Sequence, residues 1–255
     1  MVFYPCYYFY MFKSFKINNK TVFYSDLISG VTHFFTTRES FIRTNEVSLI
    51  SKTLENKKDI CDFLEIDEVN LISPNQVHGD FIQVAREYET IYADTDAMIL
   101  ANYEQALYLN FADCTPVIFY DRSKNISAIA HAGWRGTANS IAVKTVKRMI
   151  VEFSSDCKNI SAVIGPAICE KCYQVSEDVV LQLKSTLKNP DGLFSNRNGE
   201  YYVDLKGINA RQLQEFGVMD VDICPYCTSC DNDLFFSYRK ENATTNRHSA
   251  VLKLR

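Results

Sequence analysis

Apolar positions in this 255-residue chain fall into many short runs at strand-like length, broken by a few longer stretches at helical spacing. Residues 15–24 and 30–36 read as strands. Runs 81–85, 97–100, 105–110, 116–120 and 126–130 are rich in β-branched and aromatic side chains and predict further strands. Over 47–64, Leu49, Leu54, Ile60 and Leu64 spread across an amphipathic helical face. The clearest helix comes next: Thr137 is the expected N-cap, and Ala142, Val146, Met149, Ile150 and Phe153 follow on one face. Residues 161–165 predict a strand, and 176–187 a helix with Ser176 capping and Glu177 and Asp178 in its favourable first turn. Another helix spans 205–216 and stops at Gly217. Late strands are expected at 221–224 and 249–254. The longest polar stretch, 188–192, predicts a turn followed by a loop to Gly199. Strands in clusters with few helices between them indicate α+β with mixed sheets. No linker rich in Pro, Gly or Ser, no charge run and no repeat divides the chain, so one domain is expected.

Composition supports a folded core: 47% of residues are hydrophobic, 23% charged and 13% aromatic, which argues against disorder. Net charge is −4 with no basic block, so nucleic acid is not an expected partner. The first ten residues are apolar but lack a positive n-region and a small-residue cleavage site, and they are too short to cross a bilayer. Residues 1–14 are read as an N-terminal extension, with Met11 as the expected translation start, and 15–255 as the domain. Nine cysteines, an odd number, and no convincing leader point to a reducing, cytoplasmic compartment in which cysteines are thiols, ligands or core residues.

Chemistry concentrates in three stretches: Asn75-Gln76-Val77-His78-Gly79, Ala112-Asp113-Cys114 and Ala130-His131-Ala132-Gly133-Trp134-Arg135-Gly136. Two of the four histidines sit at apparent strand ends, with Cys114 between them in sequence. Two imidazoles and a thiolate suit a zinc ion with an open fourth position. They equally suit a Cys–His nucleophile pair. The spacings of 36 and 17 residues fit no short zinc-finger signature. Asp113 is expensive to bury without a partner, so the Asp113-Cys114 pair is expected to face a cavity. The glycine-bracketed turn 133–136 offers backbone N–H groups to an anion, unless it is an ordinary strand–turn–helix connection. Arg239, ending an aromatic run, and Arg38 are either phosphate or carboxylate clamps or plain solvated charges. Cys169-Glu-Lys-Cys172 and Cys224-Pro-Tyr-Cys227-Thr-Ser-Cys230 can form a zinc knot, a disulfide or redox pair, or no bond.

NQVHG at 75–79, ADTDAM at 93–98, ADCTP at 112–116, AHAGWRG at 130–136, IGPA at 164–167 with Cys172-Tyr173-Gln174-Val175, Val203-Asp204-Leu205 with Asn209, and the run from Cys227-Thr228 to Arg239 occur in one order. In that order they resemble the YfiH/laccase-domain family, also called the multicopper polyphenol oxidase domain or peptidoglycan editing factor family, over roughly residues 30–254. The resemblance implies a single-domain α/β/β/α sandwich and zinc, with copper as the alternative, on His78, Cys114 and His131. It implies phosphorolysis of adenosine, inosine and methylthioadenosine, and deamination of adenosine. Cys114, His131, His78, Asp113 and Arg239 would then be catalytic, and Arg38, Asn75, Gln76 and Arg135 substrate-binding. Asp113 or Asp96 would shuttle a proton. Expected partners are a purine nucleoside and phosphate, with no nucleic acid or membrane, in a monomer or weak homodimer. The alternative is a Cys–His hydrolase or a binding protein for peptidoglycan precursors. Copper polyphenol oxidation fits worse, because four histidines cannot supply a multicopper centre. The chain departs from the family pattern at Glu39-Ser40-Phe41, where a glycine-rich loop is usual, at Thr245-Asn246-Arg247, and at Lys240.

Overall fold

Residues 12–255 are described by a computed structural model. Strand alternation sends successive side chains to opposite faces, and those faces build the layers of the molecule. The first mixed sheet runs in the order β1 (Phe12–Ile17), β2 (Lys20–Ser25), β3 (Val31–Thr36), β15 (His248–Leu254), β7 (Ala106–Phe111) and β4 (Leu71–Ile72). The second runs β14 (Asp220–Ile223), β10 (Ile160–Ile164), β8 (Thr115–Asp121), β9 (Ile126–Ala132), β6 (Ala97–Leu100) and β5 (Ile82–Val84). A small third sheet holds β11 (Gln174–Val175), β13 (Glu200–Val203) and β12 (Phe194–Arg197). The helices are α1 (Ile50–Leu64), α2 (Trp134–Ala138), α3 (Ile141–Phe153), α4 (Glu177–Lys184) and α5 (Leu205–Phe216).

Three apolar layers join these elements. Phe35, Leu107, Leu109 and Leu252 of the first sheet meet Met98, Ile118, Ile129 and Val163 of the second. On its outer face the first sheet packs Val22, Phe34 and Val251 against Ile60, Cys61 and Leu64 of α1. The outer face of the second packs Val117, Phe119, Ala128 and Ala130 against Ile141, Val146 and Met149 of α3 and Leu213 of α5. The layer order is therefore α/β/β/α, as expected, and the sheets are mixed: the β4–β7, β5–β6 and β10–β14 pairs are parallel.

Several elements differ from expectation. Residues 15–24 are not one strand but parts of a hairpin, because Asn18 and Asn19 both take positive φ, 44° and 64°, the requirement of a two-residue turn whose twist matches the strands. Phe12, Lys13 and Ser14 belong to β1 and not to an extension; Met11 lies outside the described residues. Thr137 does not cap the long helix. It lies inside the short α2, and the chain then breaks at Ser140 (φ 56°) before α3 begins. Ser176 stands at the N-cap of α4 but makes no side-chain cap bond, whereas Asp204 caps α5 by accepting from the Gly207 N–H. Gly217 ends α5 in the left-handed region at φ 117°, as expected. Among the described residues no helix is long and apolar enough to cross a membrane.

Candidate active site

Alternation along β9 decides where His131 points. Ile126, Ala128, Ala130 and Ala132 face the α3 layer, so Ile129 and His131 face the space between the sheets. There the His131 ring lies 5.3 Å from that of Phe111. Cys114 precedes β8, whose first residue Thr115 pairs with Ala132, and this brings thiol and imidazole to the same end of the sandwich. His78 arrives on the loop between β4 and β5, not at a strand end, and its backbone is left-handed (φ 61°). The ligand atoms of His78, Cys114 and His131 all lie within 4.8 Å of one another.

Asp96, fully buried just before β6, holds this arrangement together. Its carboxylate accepts backbone N–H bonds from Val77 (3.2 Å), His78 (3.0 Å) and Gly79 (2.7 Å) and pairs with His131 Nδ1 at 2.8 Å. Burial alone pushes Asp96 up. The bond and charge of His131, with the Gly79 and Val77 N–H groups, outweigh it and hold the carboxyl below its usual range. A carboxylate so fully engaged is an orienting group and a poor proton shuttle. With Nδ1 turned to Asp96, Nε2 of His131 is left for the centre. Burial also pushes the Cys114 thiol up, but the charge of His131 and donation from His131 and His78 bring it down to about 6. Conversely, burial lowers His131, while the Cys114 charge and Asp96 raise it to about 9. Gly133 keeps the space clear: a Cβ there would lie 3.1 Å from Cys114 Sγ and 3.6 Å from the His78 ring.

Asp113 is buried with its backbone at φ 84°. One carboxylate oxygen accepts from Thr228 Oγ1 at 2.6 Å and the other from the Arg239 N–H at 2.7 Å. It thus fastens the Thr228 and Arg239 segments beside Cys114.

A cavity of about 930 Å³ opens over the cluster. Its lining includes Asn75, Gln76, His78, Asp113, Cys114, His131, Arg135 and Arg239 from the sequence expectations. Gln76 is not free to bind substrate through its amide: it donates to Asn110 O (3.0 Å) and accepts from Asn110 N–H (2.8 Å), pinning the His78 loop to β7. Arg135 stacks on the Trp134 ring at 4.3 Å. Arg239 donates to Gln174 O at 3.0 Å and lies over Tyr173 at 5.1 Å. Arg38 does not line the cavity. Its guanidinium is tied to Glu241 (2.5 Å), donates to the carbonyls of Asn232 and Phe235, and covers the Phe236 ring, so it shapes the loop that carries Arg239.

Sequence reasoning missed Arg43, Arg247, Tyr108 and Tyr238 in the lining. Tyr238 lies in the family run from Cys227 to Arg239, and Arg247 in the Thr245-Asn246-Arg247 departure from the family pattern, so both gave a signal. Arg43 gave none. It reaches the cavity because the Arg247 N–H donates to its carbonyl at 3.1 Å, joining segments about two hundred residues apart.

The donor set, the carboxylate behind one imidazole and the glycine-cleared space fit a bound metal ion. A four-layer α/β/β/α domain with a His–Cys–His cluster at the floor of an arginine-rich cleft is the class that fold and site define. The chain belongs to the family described as multi-copper polyphenol oxidoreductase laccase, whose model matches residues 50–255. It is 30% identical over 215 residues to the purine nucleoside phosphorylase YlmD of Bacillus subtilis (strain 168), covering 79% of this chain and 77% of that one. It is 27% identical over 243 residues to adenosine deaminase RL5 from an unknown prokaryotic organism, covering 86% and 92%. The crystal structure of YlmD from Geobacillus stearothermophilus is similar at a TM-score of 0.82 and 29% identity, covering 90% of this chain and 94% of that one.

Proposed function

We propose that this chain is a zinc-associated purine nucleoside enzyme. It cleaves adenosine, inosine or methylthioadenosine with phosphate, giving base and ribose 1-phosphate or its methylthio form, and it deaminates adenosine to inosine. The observation that carries this reading is one cavity that holds both the His78–Cys114–His131 cluster and four arginines, Arg43, Arg135, Arg239 and Arg247. Guanidinium groups are the side chains best matched to phosphate, and about 930 Å³ is the size of a small-ligand pocket. Aromatic rings in the same lining, Tyr108, Tyr173 and Tyr238, offer faces for a base. The names of the relatives support the same chemistry.

In phosphorolysis the arginines hold the phosphate where a phosphate oxygen bonds C1′ as the bond to the base nitrogen breaks, and the departing base takes a proton. Arg239 is placed for this by Asp113 through its own backbone. In deamination, water adds at the amino-bearing carbon and ammonia leaves. Zinc held by His78, Cys114 and His131 would supply Lewis-acid activation of a water near neutral pH. Asp96 keeps the proton on His131 Nδ1, so the imidazole presents its other nitrogen to the reacting centre. Multicopper oxidation is not supported by this chain's ligands, because His33 and His248 do not line the cavity. Incubation with adenosine, with and without phosphate, tests the proposal. Phosphate-dependent adenine and ribose 1-phosphate support it; an unchanged substrate pool overturns it.

One observation favours a second reading. Asp96, His131 and Cys114 are also arranged as orienter, base and activated thiol, the layout of a cysteine hydrolase, for which a peptidoglycan precursor would be the substrate. A covalent adduct on Cys114 with such a precursor, absent in Cys114→Ser, would favour it over the nucleoside enzyme.

A further inference from the structure

Away from the cavity floor, the fold gathers a second set of thiols. The segment after β10 and the segment after β14 run side by side: Ala167 and Cys227 form a parallel bridge, and the Thr228 N–H donates to Ala167 O at 3.3 Å. This pairing brings Cys169 and Cys172 against Cys227 and Cys230, with all four sulfurs within 4.8 Å of one another. We propose that these four cysteines form a second metal site, a closed tetrathiolate that holds one zinc ion and staples the two segments together.

Distances decide between the ways four sulfurs can meet. A disulfide needs S–S near 2.05 Å, whereas four sulfurs each about 2.3 Å from one tetrahedral zinc lie roughly 3.8 Å apart. The Cys172–Cys230 and Cys169–Cys230 sulfurs are 3.5 and 4.0 Å apart, and all eight described cysteines are free. The sequence spacing agrees: two Cys-x-x-Cys units separated by a long insert are the pattern of a structural zinc knot. The backbone agrees as well. Cys227 Sγ accepts N–H bonds from Cys169 at 3.2 Å and Cys230 at 3.4 Å, the kind of outer support that orients a ligating thiolate. Cys224 is no part of the site. It is fully buried and outside the cluster, and its burial pushes it up to about 12, so the Cys224-x-x-Cys227 spacing is incidental.

The staple sits behind the substrate cavity. Tyr173 follows Cys172 directly and lines the cavity; Gln174 O receives Arg239. Thr228, next to Cys227, holds Asp113. A metal here therefore fixes the wall that presents Tyr173 and Arg239, without touching substrate.

Metal counting tests this independently of any activity. Wild-type protein purified without chelator is expected to carry two zinc equivalents per chain, and Cys114→Ala one. Cobalt loaded into Cys114→Ala should give the intense thiolate charge-transfer and tetrahedral d–d bands of a sulfur-only site. Cys230→Ser, a change at an exposed position, should lose one equivalent and keep the other. Absence of metal from Cys114→Ala while the wild type holds a single equivalent would overturn the proposal. So would disulfides among these four cysteines in wild-type protein alkylated at the moment of lysis, a measurement that needs no variant to fold.

Discussion

Two residues at the His–Cys–His cluster, His78 and Asp113, hold positive φ although neither is glycine, and such backbone persists where its surroundings over-determine it. Asp96 supplies that constraint for His78 through three backbone N–H bonds while orienting His131. Asp96→Asn is therefore expected to weaken metal binding at the His–Cys–His cluster by about 10–100-fold, the usual effect of losing such an orienting carboxylate. Competition with a chromogenic chelator checks this, and unchanged affinity would reduce Asp96 to a structural role. The triad was legible in sequence because imidazole, thiolate and glycine carry their chemistry locally. The role of Asp96 was not, since only the fold carries it from residue 96 to the His78 loop and the His131 ring. Gln76, inside a recognisable motif, and Arg38, a candidate clamp, show the converse: polar residues whose hydrogen bonds turn out to be used within the protein.

At the scale of elements, the long strands and most helices followed their apolar periodicity, but on α1 the expected Leu54 is exposed while Thr53 and Asn56 are buried beside Ile60 and Leu64. The other failures fell at turns. The Asn18-Asn19 hairpin and the Asn198-Gly199 hairpin, with φ values of 54° and 88° in the second, hide inside polar stretches whose flanking strands are short. The helix after Gly136 broke because Thr137 is claimed from outside: Asn209 Nδ2 donates to its hydroxyl and Gln212 Nε2 to its carbonyl, each at 3.0 Å. Those bonds fix α2, and with it Arg135, against α5. Between the sheets packing is tight, and Leu107 is fully buried there. Leu107→Ala should cost about 2–5 kcal/mol, read from denaturant unfolding, and a loss under about 1 kcal/mol would mean that the two sheets do not share one core.

Taken as a whole, the molecule keeps two of its four histidines as neutral buried groups. Burial pushes His33 down to about 4 and His248 down to about 3. In the unfolded chain both titrate near the ordinary 6.5. As pH falls the unfolded state takes up these protons first, so protonation favours unfolding. Their contribution to stability is complete above 6.5 and is lost as pH drops from 6.5 toward 4. His33→Gln should lower the denaturant midpoint less than wild type does between about pH 7 and about pH 4.5, and an equal fall would contradict this assignment. The same whole-molecule view explains the limits of the sequence. The strand and helix pattern implied a mixed α+β domain, and the layer order followed from the resemblance alone, but the cavity draws its arginines from residues 43, 135, 239 and 247, a convergence no local pattern encodes.

That convergence is the central claim, and product analysis tests it most directly. Zinc-replete protein is incubated with adenosine and saturating phosphate, beside a Cys114→Ala control, and adenine, ribose 1-phosphate and inosine are followed. The account predicts that all three form with the wild type and that the control forms little inosine. No product above the Cys114→Ala background would contradict it.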